Sequence, residues 1–283
     1  MLGSTLTKYL TPYVSEVVEI NRSGKPVISG NKVHTFDAAL GNPIREYLER
    51  EQFDLIINAI GLIKQLIDDA DNDVVKKAYS LNSDLPRELS VYAKDTATAI
   101  VQIGTDCVYS GRDGNYTEDS KFDCEDLYGL SKVSGERESK SLLTLRCSII
   151  GHEIKQPVSL MDWFLTQSRS ATVRGYANHY WNGVTTLAFE RIIQGIIKNN
   201  SFSPGTLHLI PKDQVSKFEL LQILAELFGR KDIAISEFQA EIAVNRTLAT
   251  LFPHKNEQLW LNAGYTEVPS IAELIQEYAE WSS

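Results

Sequence analysis

A phenol and an ammonium four positions apart, Tyr128 and Lys132, sit in the run over residues 104–136, GTDCVYSGRDGNYTEDSKFDCEDLYGLSKVSGE. At that spacing the two side chains share one face of a helix. A tyrosine that protonates an alkoxide near neutral pH needs its ordinary pKa of about 10 lowered, and a nearby cation does this by favouring phenolate. Lys132 is placed to be that cation. Upstream, the apolar run Ala99–Ile103 reads as a buried strand that delivers Thr105 and Asp106 at its C-terminal end, where ligands of open α/β sheets bind. A short hydroxyl such as Thr105 can hydrogen-bond the same substrate oxygen and hold it in line for hydride delivery from a nicotinamide. A lone tyrosine and lysine at this spacing is usually a solvated helix face. The ordered set carries the reading: strand, Thr-Asp, a glycine-rich loop over residues 111–116, an acidic stretch, then the tyrosine and lysine.

This run resembles the extended short-chain dehydrogenase/reductase family, and within it the nucleotide-sugar 4-keto reductases typified by dTDP-4-dehydrorhamnose reductase. The resemblance extends over most of the chain. It implies an α/β fold, a Rossmann-like doubly wound parallel sheet over residues 1–150 with a smaller C-terminal substrate lobe over residues 151–283, and residues 184–200 packing back on the core. It carries the family's catalytic roles to Thr105, Tyr128 and Lys132, all three filled as the family requires, with Lys132 also holding the nicotinamide ribose. Asp106 and Val108 are then expected beside the sugar. The implied reaction is reduction of the 4-keto group of a nucleotide-diphosphate deoxysugar in surface polysaccharide or nucleotide-sugar biosynthesis. Two alternatives stay open: an NAD-retaining epimerase or dehydratase, and a non-catalytic regulatory subunit of the same fold.

The elements that would position a cofactor are read in chain order. Met1, Leu2, Gly3 and Ser4 look like the tail of a dinucleotide fingerprint, which places Leu2 and Gly3 at the cofactor. The strand and two earlier glycines of the family pattern are not in these residues; the expectation is a natural chain with roughly a dozen more residues upstream. Residues 14–20 read as a second strand ending at Asn21, Arg22 and Ser23, where an arginine can accept the 2′-phosphate of NADP. NADPH is therefore the expected cofactor, with NADH as the other choice. Asn42 and Pro43 suit the cap and first turn of a helix reaching Glu51. The strand over residues 54–61 ends in Asn58, Ala59 and Ile60, which by the resemblance pass over the riboses. The next residues, Leu62 to Gln65, depart from the family text and leave the sugar's identity open. Asn82 and Pro86 interrupt a long helix, and Asn82 is either a helix-bending amide or a support for the site. One strand over residues 142–150 brings Ser148 and Ile149, by resemblance, to the nicotinamide pocket.

Beyond residue 151, Arg174, Tyr176, Tyr180, Trp181 and Asn182 form an aromatic and polar loop, with Arg174, Trp181 and Asn182 expected at the nucleotide sugar. Residues 216–219 and 270–273 are capping boxes, and residues 245–262 show nothing catalytic. A net charge of −9 argues against a nucleic-acid surface. The three cysteines and five histidines have neither metal-ligand spacing nor a disulfide pattern, so no metal is expected. No apolar run is long enough for a membrane span and no signal peptide is seen, which reads as a cytoplasmic protein. A homodimer is compatible with this reading, and the residues do not choose it.

Overall fold

Strand-forming and helix-forming runs alternate through the first half of the chain, and the structure follows them. The structure, a computed structural model, describes residues 2–40, 43–153 and 159–282. In order, α1 (Leu2–Leu10) leads to β1 (Val18–Asn21), β2 (Lys32–Thr35), α2 (Arg45–Glu51), β3 (Leu55–Asn58), α3 (Asn72–Tyr79), α4 (Leu85–Asp95) and β4 (Ala99–Ile103). Then come α5 (Leu127–Gly135), β5 (Leu142–Arg146), β6 (Ile149–Ile150), α6 (Leu160–Leu165), β7 (Thr172–Tyr176), β8 (His179–Trp181), β9 (Val184–Thr185), α7 (Thr186–Lys198) and β10 (Gly205–His208). The last part holds β11 (Val215–Ser216), α8 (Lys217–Leu227), β12 (Ala234–Phe238), β13 (Val244–Asn245), α9 (Pro253–Asn262) and α10 (Ile271–Ser282).

The main sheet has the order β10-β5-β4-β3 and is parallel throughout. Every residue of β5 is buried, as its apolar sequence demands of a strand covered on both faces. One core, with Leu6, Leu145, Phe189, Ile192 and Trp260, lies under α1, α7 and α9. A second, with Leu48, Leu89, Tyr92 and Ile100, lies under α2 and α4. Helices thus cover both faces of a parallel sheet, the Rossmann-like α/β fold. The described strands divide between separate sheets. Among the described residues β1 and β2 pair only with each other, and β3 is an edge strand whose Leu55, Ile56 and Ile57 remain half-buried. The strand expected over residues 142–150 also divides, because the chain turns at Cys147 and Ser148 to pair β6 with β9.

Asn42 lies outside the described residues, and the helix near it starts at Arg45 without a side-chain cap of its own. Glu88 of α4 supplies the acceptor, taking the Ile44 and Arg45 amides at 2.7 and 2.9 Å. The interruption between α3 and α4 is a π turn over Ser80–Asp84. Pro86 has no amide hydrogen to donate to the Asn82 carbonyl four residues back. That carbonyl is where α5 approaches: a Cβ on Gly135 would lie 2.1 Å from it.

The segment expected as an aromatic loop forms strands instead. β7 alternates exposed and buried residues and pairs in parallel with β12, while β8 lies between β11 and β13. Loop composition was the misleading signal, since β-branched and aromatic residues at period two are equally a strand pattern. Beneath these strands Met161, Phe164, Leu220, Leu224 and Tyr278 make a third core. The capping box of α8 is complete, with Ser216 accepting the Glu219 amide and Glu219 accepting the Ser216 amide.

Glu190 of α7 is fully buried opposite α1. The Thr5 hydroxyl approaches its carboxyl, but neither oxygen completes a well-formed hydrogen bond among the described residues. Burial pushes this carboxyl up to about 7. The folded chain therefore holds a proton here that the unfolded chain has released, and stability falls as pH rises from the ordinary glutamate range through about 7. Glu190→Gln removes that loss. In urea titrations the variant is expected to be more stable than the parent at pH 8, by on the order of 3 kcal/mol, with the gain vanishing near pH 4.

Candidate active site

The site forms where β4 ends. Gly104 donates its amide to the Leu145 carbonyl at 2.8 Å, and a Cβ there would come within 2.7 Å of the Arg146 side chain. Thr105 follows in an extended conformation and caps a single 3₁₀ turn over Asp106–Val108. Its Oγ1 accepts the Cys107 amide at 3.2 Å and donates to Asp106 Oδ1 at 3.3 Å. On the facing side, Asp126 caps α5 by accepting the Gly129 amide at 2.9 Å and pairs with Lys64 at 2.7 Å. Gly129 permits close approach, since a Cβ would meet the Cys107 carbonyl at 2.4 Å. The helix is thereby pressed against the turn that holds Thr105, and Tyr128 lies close enough to Thr105 for its hydroxyl to act on the phenol.

Burial governs the ionisation of this group. It holds the Tyr128 phenol above its ordinary value, with the nearby Cys107 adding to the effect and the Thr105 hydroxyl opposing it. The expectation that Lys132 brings the phenol down is corrected for these side chains. The Lys132 ammonium is itself pushed down by burial, against the pull of the Glu136 carboxylate, and donates to the Ile103 carbonyl at 3.2 Å. Burial likewise raises the Asp106 carboxyl, and lifts the Cys107 thiol to about 12. In this arrangement the phenol keeps its proton, which is the state an acid donor requires.

Asn82 joins the loop after β3 to α5. Its Oδ1 accepts the Leu62 amide at 2.9 Å, and its Nδ2 donates to the Leu62 carbonyl and Ser131 Oγ, each at 3.0 Å. Of the two readings of this residue, the contacts favour support of the site. Gly61 passes so close that a Cβ would lie 3.1 Å from Asn82 Oδ1 and 3.6 Å from Lys132 Nζ. This cradle fits the nicotinamide-ribose end of a dinucleotide. Asn58 turns inward to Gln102 at 2.8 Å and accepts the Ile60 amide, which shapes the loop holding Ala59 and Ile60. A Cβ on Gly3 would lie 3.4 Å from Ala59 Cβ, so the start of α1 stands at the C-terminal end of β3, with Leu2 half-buried against the core. At the end of β1, Asn21 Oδ1 accepts the amides of Ser23 and Gly24, each at 3.0 Å, and the resulting turn exposes Arg22. Ser148 Oγ accepts the Trp181 indole N–H at 2.8 Å, and Ile149 pairs with Val184.

The substrate residues separate into two groups. Asp106 opens the turn, and Trp181 is buried in the third core with its indole N–H bonded to Ser148. Three others do not come there as expected. Val108 is fully buried in a core with Tyr109, Tyr116 and Leu248. Asn182 clamps the Leu248 backbone, donating to its carbonyl at 2.7 Å and accepting its amide at 2.9 Å. The Arg174 guanidinium lies over the Phe238 ring, 4.8 Å from its centroid. Val108 points inward because the 3₁₀ turn reverses it, and Arg174 outward because alternate residues of β7 face solvent. Two residues that sequence reasoning missed act on Asp106 by their charge, Lys217 and Arg246, and Arg246 Nε donates to the Tyr109 carbonyl that follows the turn at 2.9 Å. The capping box concealed the first, and the second sits in a stretch without any motif.

A hydroxyl, a phenol and a lysine thus meet at the C-terminal end of a parallel strand. The model of the RmlD substrate binding domain matches residues 1–250, and the chain belongs to that family. Solved structures agree on the fold. A dTDP-4-dehydrorhamnose reductase from Yersinia enterocolitica superposes with a TM-score of 0.75 at 15% identity, covering 98% of this chain and 96% of the other. A dTDP-4-dehydrorhamnose reductase from Bacillus anthracis in complex with NADP gives 0.70 at 18% identity, covering 95% and 100%. The Bordetella bronchiseptica enzyme WbmG in complex with NAD and UDP gives 0.74 at 14% identity, covering 99% and 90%. A comparison with curated proteins gives no match.

The Asn82 bridge has a measurable weight. Asn82→Ala leaves the buried Leu62 amide and carbonyl without their partner, and should lower unfolding stability by roughly 2 kcal/mol in urea titration.

Proposed function

We propose that the protein reduces the 4-keto group of a nucleotide-diphosphate deoxysugar with NADPH, with NADH as the less favoured donor. The observation that carries the reading is the placement of Thr105, on the turn after β4, against Tyr128 and a half-buried Lys132 of α5. The dinucleotide, when bound, supplies the hydride. Thr105 orients the substrate carbonyl by hydrogen-bonding its oxygen. Tyr128 donates its proton to that oxygen as negative charge develops on it. Lys132 holds the ribose hydroxyls under the Gly61 loop and stabilises the phenolate left behind. Leu2, Gly3, Asn58, Ala59, Ile60, Ser148 and Ile149 would line the dinucleotide, and Arg22 would take the 2′-phosphate. Asp106 and Trp181 would face the sugar. The surrounding pathway on this reading is surface polysaccharide or nucleotide-sugar biosynthesis in the cytoplasm.

Tyr128→Phe tests the acid role directly. Turnover of NADPH with dTDP-4-keto-6-deoxyglucose should fall by roughly 10²-fold or more, while NADPH still quenches protein fluorescence with nearly the parent affinity. Undiminished turnover in this variant overturns the mechanism, and one equivalent of NAD released on denaturing the purified protein points to an epimerase or dehydratase instead. Arg22→Glu tests cofactor choice. Its kcat/KM ratio for NADPH over NADH should drop by roughly 10-fold or more, since one guanidinium–phosphate contact is exchanged for a repulsion.

A further inference from the structure

Three contacts fasten the loop after β3 lengthwise along α5. A Cβ on Gly61 would lie 3.6 Å from Lys132 Nζ. The Leu62 backbone is held by Asn82, whose Nδ2 also donates to Ser131 Oγ at 3.0 Å. Lys64 Nζ reaches Asp126 Oδ2 at 2.7 Å. As residue numbers rise along the loop, from Gly61 to Lys64, those of the partners fall, from Lys132 to Asp126. Ile63, between the last two contacts, is extended. Three extended residues reach about 10 Å and six residues of helix rise about 9 Å, so the loop can run beside the helix over this whole span. Tyr128 lies within it.

The Lys64 contact holds the outer end of the loop. Among the described residues, the other hydrogen bonds of residues 63–67 are local, from the Leu66 and Ile67 amides to the Ile63 and Lys64 carbonyls at 3.0 and 3.1 Å. Its partner is already engaged: Asp126 Oδ1 accepts the Gly129 amide at 2.9 Å, and the Asp126 carbonyl accepts the Leu130 amide at 3.0 Å. An acidic residue caps a helix start without help from a lysine. Lys64 therefore adds a link, from the loop to the residue two positions before Tyr128. Its side chain is 49% exposed and that of Asp126 31%, so the pair contributes little to stability and its effect is one of placement. We infer that Lys64 is a positioning residue, which acts through Asp126 to set the Tyr128 phenol against the loop after β3. The inference rests on the reductase reading, in which that loop seats the nicotinamide ribose and Tyr128 supplies the proton.

The test compares the parent with Lys64→Met, Lys64→Arg and Asp126→Asn, the last of which keeps a helix cap and loses the ion pair. Without any substrate, hydrogen exchange in the peptide covering residues 127–135 should quicken roughly 3- to 5-fold in Lys64→Met and return to the parent rate in Lys64→Arg. With NADPH and dTDP-4-keto-6-deoxyglucose, kcat of Lys64→Met should fall by roughly 3- to 5-fold, while the KM for NADPH stays within about 2-fold and the melting temperature barely moves. Arginine should restore kcat. Adding Asp126→Asn to Lys64→Met should cost nothing further, because both changes break the same link. Parent exchange or parent kcat in Lys64→Met, a loss that arginine does not repair, or additive losses in the double variant overturns the inference. A parent without turnover counts against the reductase reading, and the exchange comparison then decides on Lys64 by itself.

Discussion

The guanidinium of Arg146 is the contact on which the functional end of the molecule depends. It ends β5 at 4% exposure, where the loops of a parallel sheet diverge. Its Nε and Nη2 grip the Glu136 carboxylate at 3.0 and 2.5 Å, and its Nη1 donates to the Tyr109 hydroxyl at 3.0 Å and to His208 Nε2 at 3.2 Å. Because Nε2 accepts, Nδ1 of His208 carries the proton and donates to the Ala249 carbonyl at 2.7 Å, and burial keeps the ring neutral. Four segments are thus tied to one buried charge: the end of α5, the loop before it, β10 and the stretch after β13. Such a pair adds little net stability over an apolar replacement, yet losing one partner costs several kcal/mol. Its effect here is positional. The same side chain leaves no room for a Cβ on Gly104, which sets the backbone entering Thr105.

That positioning decides which electrostatic effect wins at Tyr128. A phenol and an ammonium on one helix face suggest a depressed tyrosine, but both groups are pressed into a water-poor junction. Desolvation acts on each against its charged form, raising one and lowering the other. The pair is therefore arranged to hold a proton on the phenol and to keep the lysine close to a carbonyl and a glycine loop. The helix presentation follows from two small contacts, the Asp126 cap and the bare Gly129 surface against the catalytic turn.

Much of this was legible in the sequence because it is local. β4, the Thr-Asp turn and α5 lie within residues 99–135, so period, capping and spacing suffice to place Thr105, Tyr128 and Lys132. The Rossmann-like alternation of buried strands and amphipathic helices was equally readable. Burial sign was not, because spacing reports direction and says nothing of solvent. Nor was the division of the sheet at β1 and β3, since a strand's composition does not name its neighbour. Val108 and Arg174 were misplaced for the reason that one turn of 3₁₀ helix or one step along β7 reverses where a side chain points.

The residues drawn together from separate parts of the chain were the least readable, and their distribution explains it. Trp181, Lys217 and Arg246 stand in three elements separated by long stretches of chain, and each element has an ordinary structural reason to exist. Next to Trp181, Asn182 clamps the Leu248 backbone; next to Lys217, Ser216 completes a capping box; next to Arg246, Asn245 accepts the Thr247 amide and hydroxyl at 3.1 and 2.7 Å. These neighbours fix the backbone, and the adjacent side chains make contacts of their own: Trp181 is buried and bonded to Ser148, and Arg246 donates to the Tyr109 carbonyl. A chemistry that needs a hydroxyl, a phenol and an amine in fixed order can be written in one short segment. A pocket assembled from side chains on separate elements leaves no such local trace, because spacing along the chain does not say which elements meet.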